Sequence, residues 1–104
     1  MVTPAQGEIW WAETEEGQRR PVVVVTRSHA VPVLNAILVA PVTRNVRNIS
    51  TEIPLDDQPG LREPCVANFD NLQRISRGDL TERVGALADP QLEICRALSA
   101  LADC

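Results

Sequence analysis

Between Gln18 and Arg27 the chain reads Gln-Arg-Arg-Pro-Val-Val-Val-Val-Thr-Arg, and few architectures accept such a run. β-Branched side chains favour a pleated strand, and four of them without polar alternation describe a strand covered on both faces. Proline cannot donate to a ladder, which makes Pro21 the expected first residue of that strand. Arg20 then stands where a loop enters the core. A guanidinium held there is a rigid two-pronged donor for a phosphate, or else an ordinary solvated loop charge. The run by itself is compatible with both.

A chain of 104 residues has room for one core, so residues 1–104 are read as a single domain. The net charge of −4, taken whole, speaks against a polyanionic partner, but the charge is unevenly placed. From Gly17 to Thr51 lie Arg19, Arg20, Arg27, Arg44 and Arg47 with no acid, while all fourteen acids lie outside that segment. Phosphate binding follows the local field, so this segment is the candidate contact with nucleic acid. Trp10, Trp11 and Phe69 are the only aromatics, which argues against the stacking platform of many single-strand binders. Cys65, Cys95 and Cys104 are too few and too dispersed for a zinc set or a redox pair; Cys104, at the terminus, is free to react. With His29 as the lone histidine, no metal and no cofactor are expected. No apolar run reaches membrane-spanning length and no leader pattern opens the chain, so the expectation is a soluble cytoplasmic protein with no membrane contact.

Taken in order, Gly7 to Ala12 reads as a first strand whose two tryptophans point to opposite faces, one to the core and one to an edge or interface. An acidic hairpin loop from Glu13 to Gln18 leads to a second strand, Arg20 to Thr26. Ala36 to Val42 is a third, buried strand, in which Pro41 implies an edge or a bulge. Short strands follow at Thr51 to Leu55 and Cys65 to Asp70, with Leu72 to Ile75 as a continuation or a bend, a helical turn at Arg77 to Thr81 and a last strand at Arg83 to Leu87. Asp89 as N-cap and Pro90 as first helical residue open a helix to Ala102, with Ile94, Cys95, Leu98, Leu101 and Ala102 on its core stripe. The sum is a mainly β protein: a small, strongly bent antiparallel sheet or partly open barrel with one C-terminal helix.

Five segments, in this order, resemble the MazF/PemK-like toxins of type II toxin–antitoxin modules. They are Gly7-Glu8-Ile9-Trp10, Arg20-Pro21-Val22-Val23-Val24-Val25, Ala40-Pro41-Val42-Thr43, Val66-Ala67-Asn68-Phe69-Asp70-Asn71 and Arg83-Val84-Gly85-Ala86-Leu87. The resemblance implies a small SH3-like antiparallel β-barrel of the CcdB/PemK kind, closed by the helix and paired as a homodimer. It also implies an endoribonuclease (an mRNA interferase) that cuts single-stranded RNA with some sequence preference and without metal. The implied inhibitor is an antitoxin whose acidic, disordered tail lies across the RNA groove. By matching position, Arg20 corresponds to the family's catalytic arginine and Thr43 to its catalytic threonine. Asp70 corresponds to an acidic position that some PemK-like members use beside the scissile phosphate. Two departures stand out: the Glu13–Gln18 loop lacks the histidine of some members, and Asn68 replaces an arginine found in others.

Metal-free RNA cleavage needs a stabilised phosphorane, a base for the 2′ proton and an acid for the leaving oxygen. Arg20 suits the first because its charge is permanent, and Thr43 adds a hydroxyl donor. For the proton, Asp70 is the carboxylate candidate, or simply an aspartate that turns the chain after Phe69. His29 has the better pKa but sits in a loop with no evident tie to the others. Arg19, Arg44 and Arg47 would grip flanking phosphates, or remain solvated, and Asn68, Asn71 and Gln73 carry amides able to read base edges. A different class of activity, a CcdB-like poison that binds a protein such as DNA gyrase without catalysis, would use the same fold but has no need of an Arg20–Thr43 pair.

Overall fold

The structure is a computed structural model, and it describes residues 3–13, 17–55, 60–61 and 63–102. The hairpin loop expected at 13–18 and the loop at 56–64 fall partly outside these residues, and Cys104 wholly so. Seven strands are present: β1 Glu8–Glu13, β2 Arg19–Val24, β3 Ala36–Thr43, β4 Glu52–Pro54, β5 Val66–Asn68, β6 Gln73–Ser76 and β7 Leu80–Ala86. Among the described residues one α-helix, α1 Pro90–Leu101, follows the strands. All pairings are antiparallel, in the order β4-β5-β3-β2-β1-β7, with β6 also on β3. This is the mainly β fold with a C-terminal helix read from the sequence, except that the sheet stays open instead of closing into a barrel.

The valine run behaves as its chemistry requires. Val23 and Val25 enter one buried cluster with Ile9, Phe69 and Ile94, while Val22 and Val24 enter a second with Trp10, Ile37 and Val39. The strand itself starts earlier than expected, at Arg19, so Pro21 is its third residue. Pro21 is tolerated there because it faces Trp11 of β1, whereas the ladder to β3 begins one residue later, at Val22. Pro41 has a similar explanation. Ala36 to Val39 of β3 pair with β6 and Val42 to Thr43 pair with β5, and Pro41 lies in the gap where the strand changes partner.

Several expected boundaries moved. Leu72 to Ile75, read as a continuation of β5 or a bend, belongs mostly to a strand of its own, since a 3-10 turn, Phe69–Asn71, with Phe69 buried, separates β5 from β6. The turn at Arg77–Asp79 is present, and β7 begins at Leu80 instead of Arg83. The register between β1 and β7 slips twice, flanking Trp10 and Trp11, which increases the local twist. On α1, Asp89 caps the helix by accepting from the Leu92 amide at 3.4 Å. Its buried face is Ile94 and Ala97; Cys95, Leu101 and Ala102, placed on the core stripe from the sequence, are exposed. The helix packs against β4 and the Phe69 turn through Ile94 and Ala97, with Leu98 half-buried beside them.

Candidate active site

The β2–β3 ladder ends at the Val22–Pro41 pair, and Arg20 and Thr43 lie two residues beyond it on their strands. Both side chains line one cleft of about 630 Å³, together with Trp11, Pro21, Val42, Arg44, Leu61 and Glu63. The strand end therefore brings together the arginine and the hydroxyl that the sequence singled out. Arg20 donates to Gln18 Oε1 at 3.3 Å, and among the described residues no carboxylate pairs with it. Thr43 Oγ1 accepts from the Asn45 amide at 3.1 Å, which turns the chain out of β3 and leaves the hydroxyl proton available.

Arg19, Arg44 and Arg47 are each paired with an acid. Arg19 reaches Glu82 at 3.3 Å and lies over the Trp11 ring, 5.4 Å from its centroid. Arg44 meets Glu63 at 2.7 Å on the cleft wall, and both are exposed. Arg47 is bound by Glu52 at 3.1 Å and by Asp70 at 3.3 Å. Glu52 is only 3% exposed and accepts, besides the Arg47 guanidinium, the backbone N–H groups of Arg47 and Asn48 at 2.9 and 3.0 Å. Burial pushes its carboxyl up, but the Arg47 amide, the Arg47 guanidinium and the Asn48 amide together overcome this and hold it below the usual carboxylate range.

Asp70 stands apart from Arg20 and Thr43. It lines neither of the two clefts that Arg20 borders; Thr51 Oγ1 donates to it at 2.6 Å, and its amide donates to Asn68 Oδ1 at 3.0 Å. Asn68 is buried beside Arg47, and Asn71 is exposed at the end of the 3-10 turn. Gln73 lies on β6 in a second cleft, which Arg20 also borders. His29 is exposed in the loop before Val31. Two cleft residues escaped the reading of the sequence. Glu63 sits in a proline-flanked loop that carries no positional signal, whereas Trp11 was findable, since strand alternation sends it away from the core that takes Trp10.

An open antiparallel sheet followed by a terminal helix, with a cation and a hydroxyl at the rim of one cleft, makes this a small mainly β protein. The family described as "PemK-like, MazF-like toxin of type II toxin-antitoxin system" matches residues 5–101, and the chain belongs to it. A relative from Mycobacterium tuberculosis (strain ATCC 25618 / H37Rv), "Probable endoribonuclease MazF5", is 42% identical over 104 residues, covering 97% of this chain and 94% of its own. "Endoribonuclease MazF3" of Mycobacterium tuberculosis (strain CDC 1551 / Oshkosh) is 42% identical over 72 residues, 69% of this chain and 70% of its own. Among solved structures, "Mycobacterium tuberculosis toxin MazF-mt6" is similar with a TM-score of 0.81 at 35% identity, over 92% of this chain and 96% of that one.

Proposed function

We infer that this chain is the toxin of a type II toxin–antitoxin pair and acts as an endoribonuclease on single-stranded RNA. The observation that carries the reading is Arg20 and Thr43 on one cleft, with Arg20 held by a neutral amide only among the described residues. The relatives named as endoribonucleases support the same activity. The reaction is attack of the ribose 2′-OH on the adjacent phosphorus: the 2′-O–P bond forms, the P–O5′ bond breaks, and the 2′ proton leaves as the 5′ oxygen gains one. The products are a 2′,3′-cyclic phosphate and a 5′-OH end. Arg20 offers two N–H groups to the phosphorane oxygens and Thr43 a third donor, so charge stabilisation comes from permanent protein groups and the cut proceeds without a metal. Asp70, held by Arg47 and Thr51, serves this site by shaping the loop after Thr43 and not by taking the proton.

The antitoxin partner follows from the family, and an acidic tail would compete with RNA for Arg20. A homodimer fits the exposed apolar side chains of Val33 and Leu34, just before β3, and of Leu38 on it. No helix among the described residues is long and apolar enough to cross a membrane. The test is incubation of purified protein with long single-stranded RNA in EDTA, with the fragment ends mapped. Cyclic phosphate ends are expected, lost in Arg20→Ala and reduced about a hundred- to a thousand-fold in rate in Thr43→Val. Intact RNA together with growth arrest would overturn the reading in favour of a non-catalytic poison.

A further inference from the structure

Arg20 borders two clefts. The second, of about 760 Å³, has Ala12, Val22 and Pro41 in its lining, while their chain neighbours Trp11, Pro21 and Val42 line the first. Successive side chains of a strand point to opposite faces, so the clefts open on opposite faces of the β1–β2–β3 sheet. Arg20 is the residue that their linings share, at the rim between them.

The two clefts differ in chemistry. On the far wall of the second stand Gln73, Arg74 and Ser76 of β6 and Asp79 of the turn after it, all exposed. Among the described residues none of these four side chains makes a hydrogen bond or ion pair, unlike the Arg44–Glu63 pair that occupies the first cleft. Uncommitted donors and acceptors side by side are what an unstacked base edge requires, and each base edge offers a different pattern to them. The first cleft instead presents Trp11, Pro21, Val42 and Leu61, a surface suited to the face of a base, where stacking is tolerant of sequence.

We propose that RNA crosses the sheet rim at Arg20 with one flanking nucleotide in each cleft, and that base identity is read in the second cleft, chiefly by Gln73 and Asp79. The first cleft holds its nucleotide by stacking on Trp11. This assignment rests on the ribonuclease reading above. Scarce as aromatics are in this chain, one indole at the rim is enough for one base.

The experiment maps cut sites on mixed-sequence RNA by sequencing the 5′-OH ends, for the full-length wild type, Gln73→Ala, Asp79→Asn and Trp11→Ala. In Gln73→Ala and Asp79→Asn the preference at positions on one side of the cut bond is expected to relax by about fivefold or more. In Trp11→Ala, RNA affinity is expected to fall roughly 5- to 150-fold with the ranking of sequences kept, and Trp11→Phe to recover most of it. If Gln73→Ala fails to fold, the isosteric Gln73→Glu, which exchanges a donor for an acceptor, carries the same test. An unchanged preference in the second-cleft variants, with a wild type that cuts, overturns this inference alone. A reordered ranking in Trp11→Ala does the same. A wild type that leaves RNA intact overturns the ribonuclease reading itself.

Discussion

Glu52 shows how one buried carboxylate organises a basic loop. A charge in that position is costly unless several donors surround it, and here two backbone amides and a guanidinium do so. Asn48, one of the donors, holds a left-handed backbone with φ of 56°, a conformation asparagine tolerates better than most residues. Glu8 is similar: burial raises its carboxyl, but the Ala5 amide, Arg83 and Trp10 outweigh this and leave it lowered. A carboxyl lowered in the folded state binds fewer protons than in the unfolded chain. Its stabilisation is therefore complete above the unfolded value of about 4.3 and is lost as pH falls through the lower folded value. Thermal unfolding should show an acid limb beginning near that pH. Glu52→Gln is expected to flatten the limb and to cost about 2 kcal/mol at neutral pH. An unaltered limb in the variant would show that Glu52 does not carry it.

At the scale of elements, the joint between sheet and helix turns on Gly7. Its φ of 84° lies where only glycine is at ease, its amide donates to Val24 O at 2.8 Å, and its carbonyl accepts from Leu87 at 2.9 Å. A Cβ here would run into the Pro90 ring at the start of α1. Gly7→Ala should destabilise the protein by about 2–4 kcal/mol, read as a lower denaturant midpoint, since strain and overpacking act together. Asp89→Ala, which removes only the helix cap, should cost about 1 kcal/mol. The helix and its cap were legible because both signals are local: Asp89-Pro90 opens it and the apolar spacing continues it. Its buried face was not, because the width of the buried stripe depends on how the helix lies against β4 and the Phe69 turn, and Cys95 is left in solvent by that contact.

Over the whole molecule, a net charge of −4 coexists with a cationic rim because acids distant in sequence fold back onto the arginine-rich segment. Glu82 takes Arg19, Glu63 takes Arg44, and Glu52 and Asp70 take Arg47. Three of the five arginines of that segment are thereby paired, and among the described residues Arg20, at the cleft rim, and Arg27, in an exposed loop, have no acid partner. The Arg44–Glu63 pair is exposed, so its own contribution to stability is small, and a phosphate can displace it. Glu63→Gln should leave the unfolding midpoint nearly unchanged and tighten RNA binding several-fold at low salt. The plot of log affinity against log salt should steepen by about 0.7, one added phosphate contact to a single strand. An unchanged slope would mean that Arg44 never meets the RNA.

By itself the sequence determined the strands, because four adjacent valines leave a chain little choice but a doubly covered strand, and it determined that Arg20 and Thr43 close two such strands. It also marked the family, through short segments whose order matters more than any one of them. Tertiary structure decided the rest. The folded sheet put Arg20 and Thr43 on one cleft, long-range ion pairs withdrew Arg19, Arg44, Arg47 and Asp70 from the free charge, and a loop remote in sequence brought Glu63 to the cleft wall. The reason is physical: propensity and capping act between near neighbours, whereas electrostatic pairing depends on distances through space that folding alone creates.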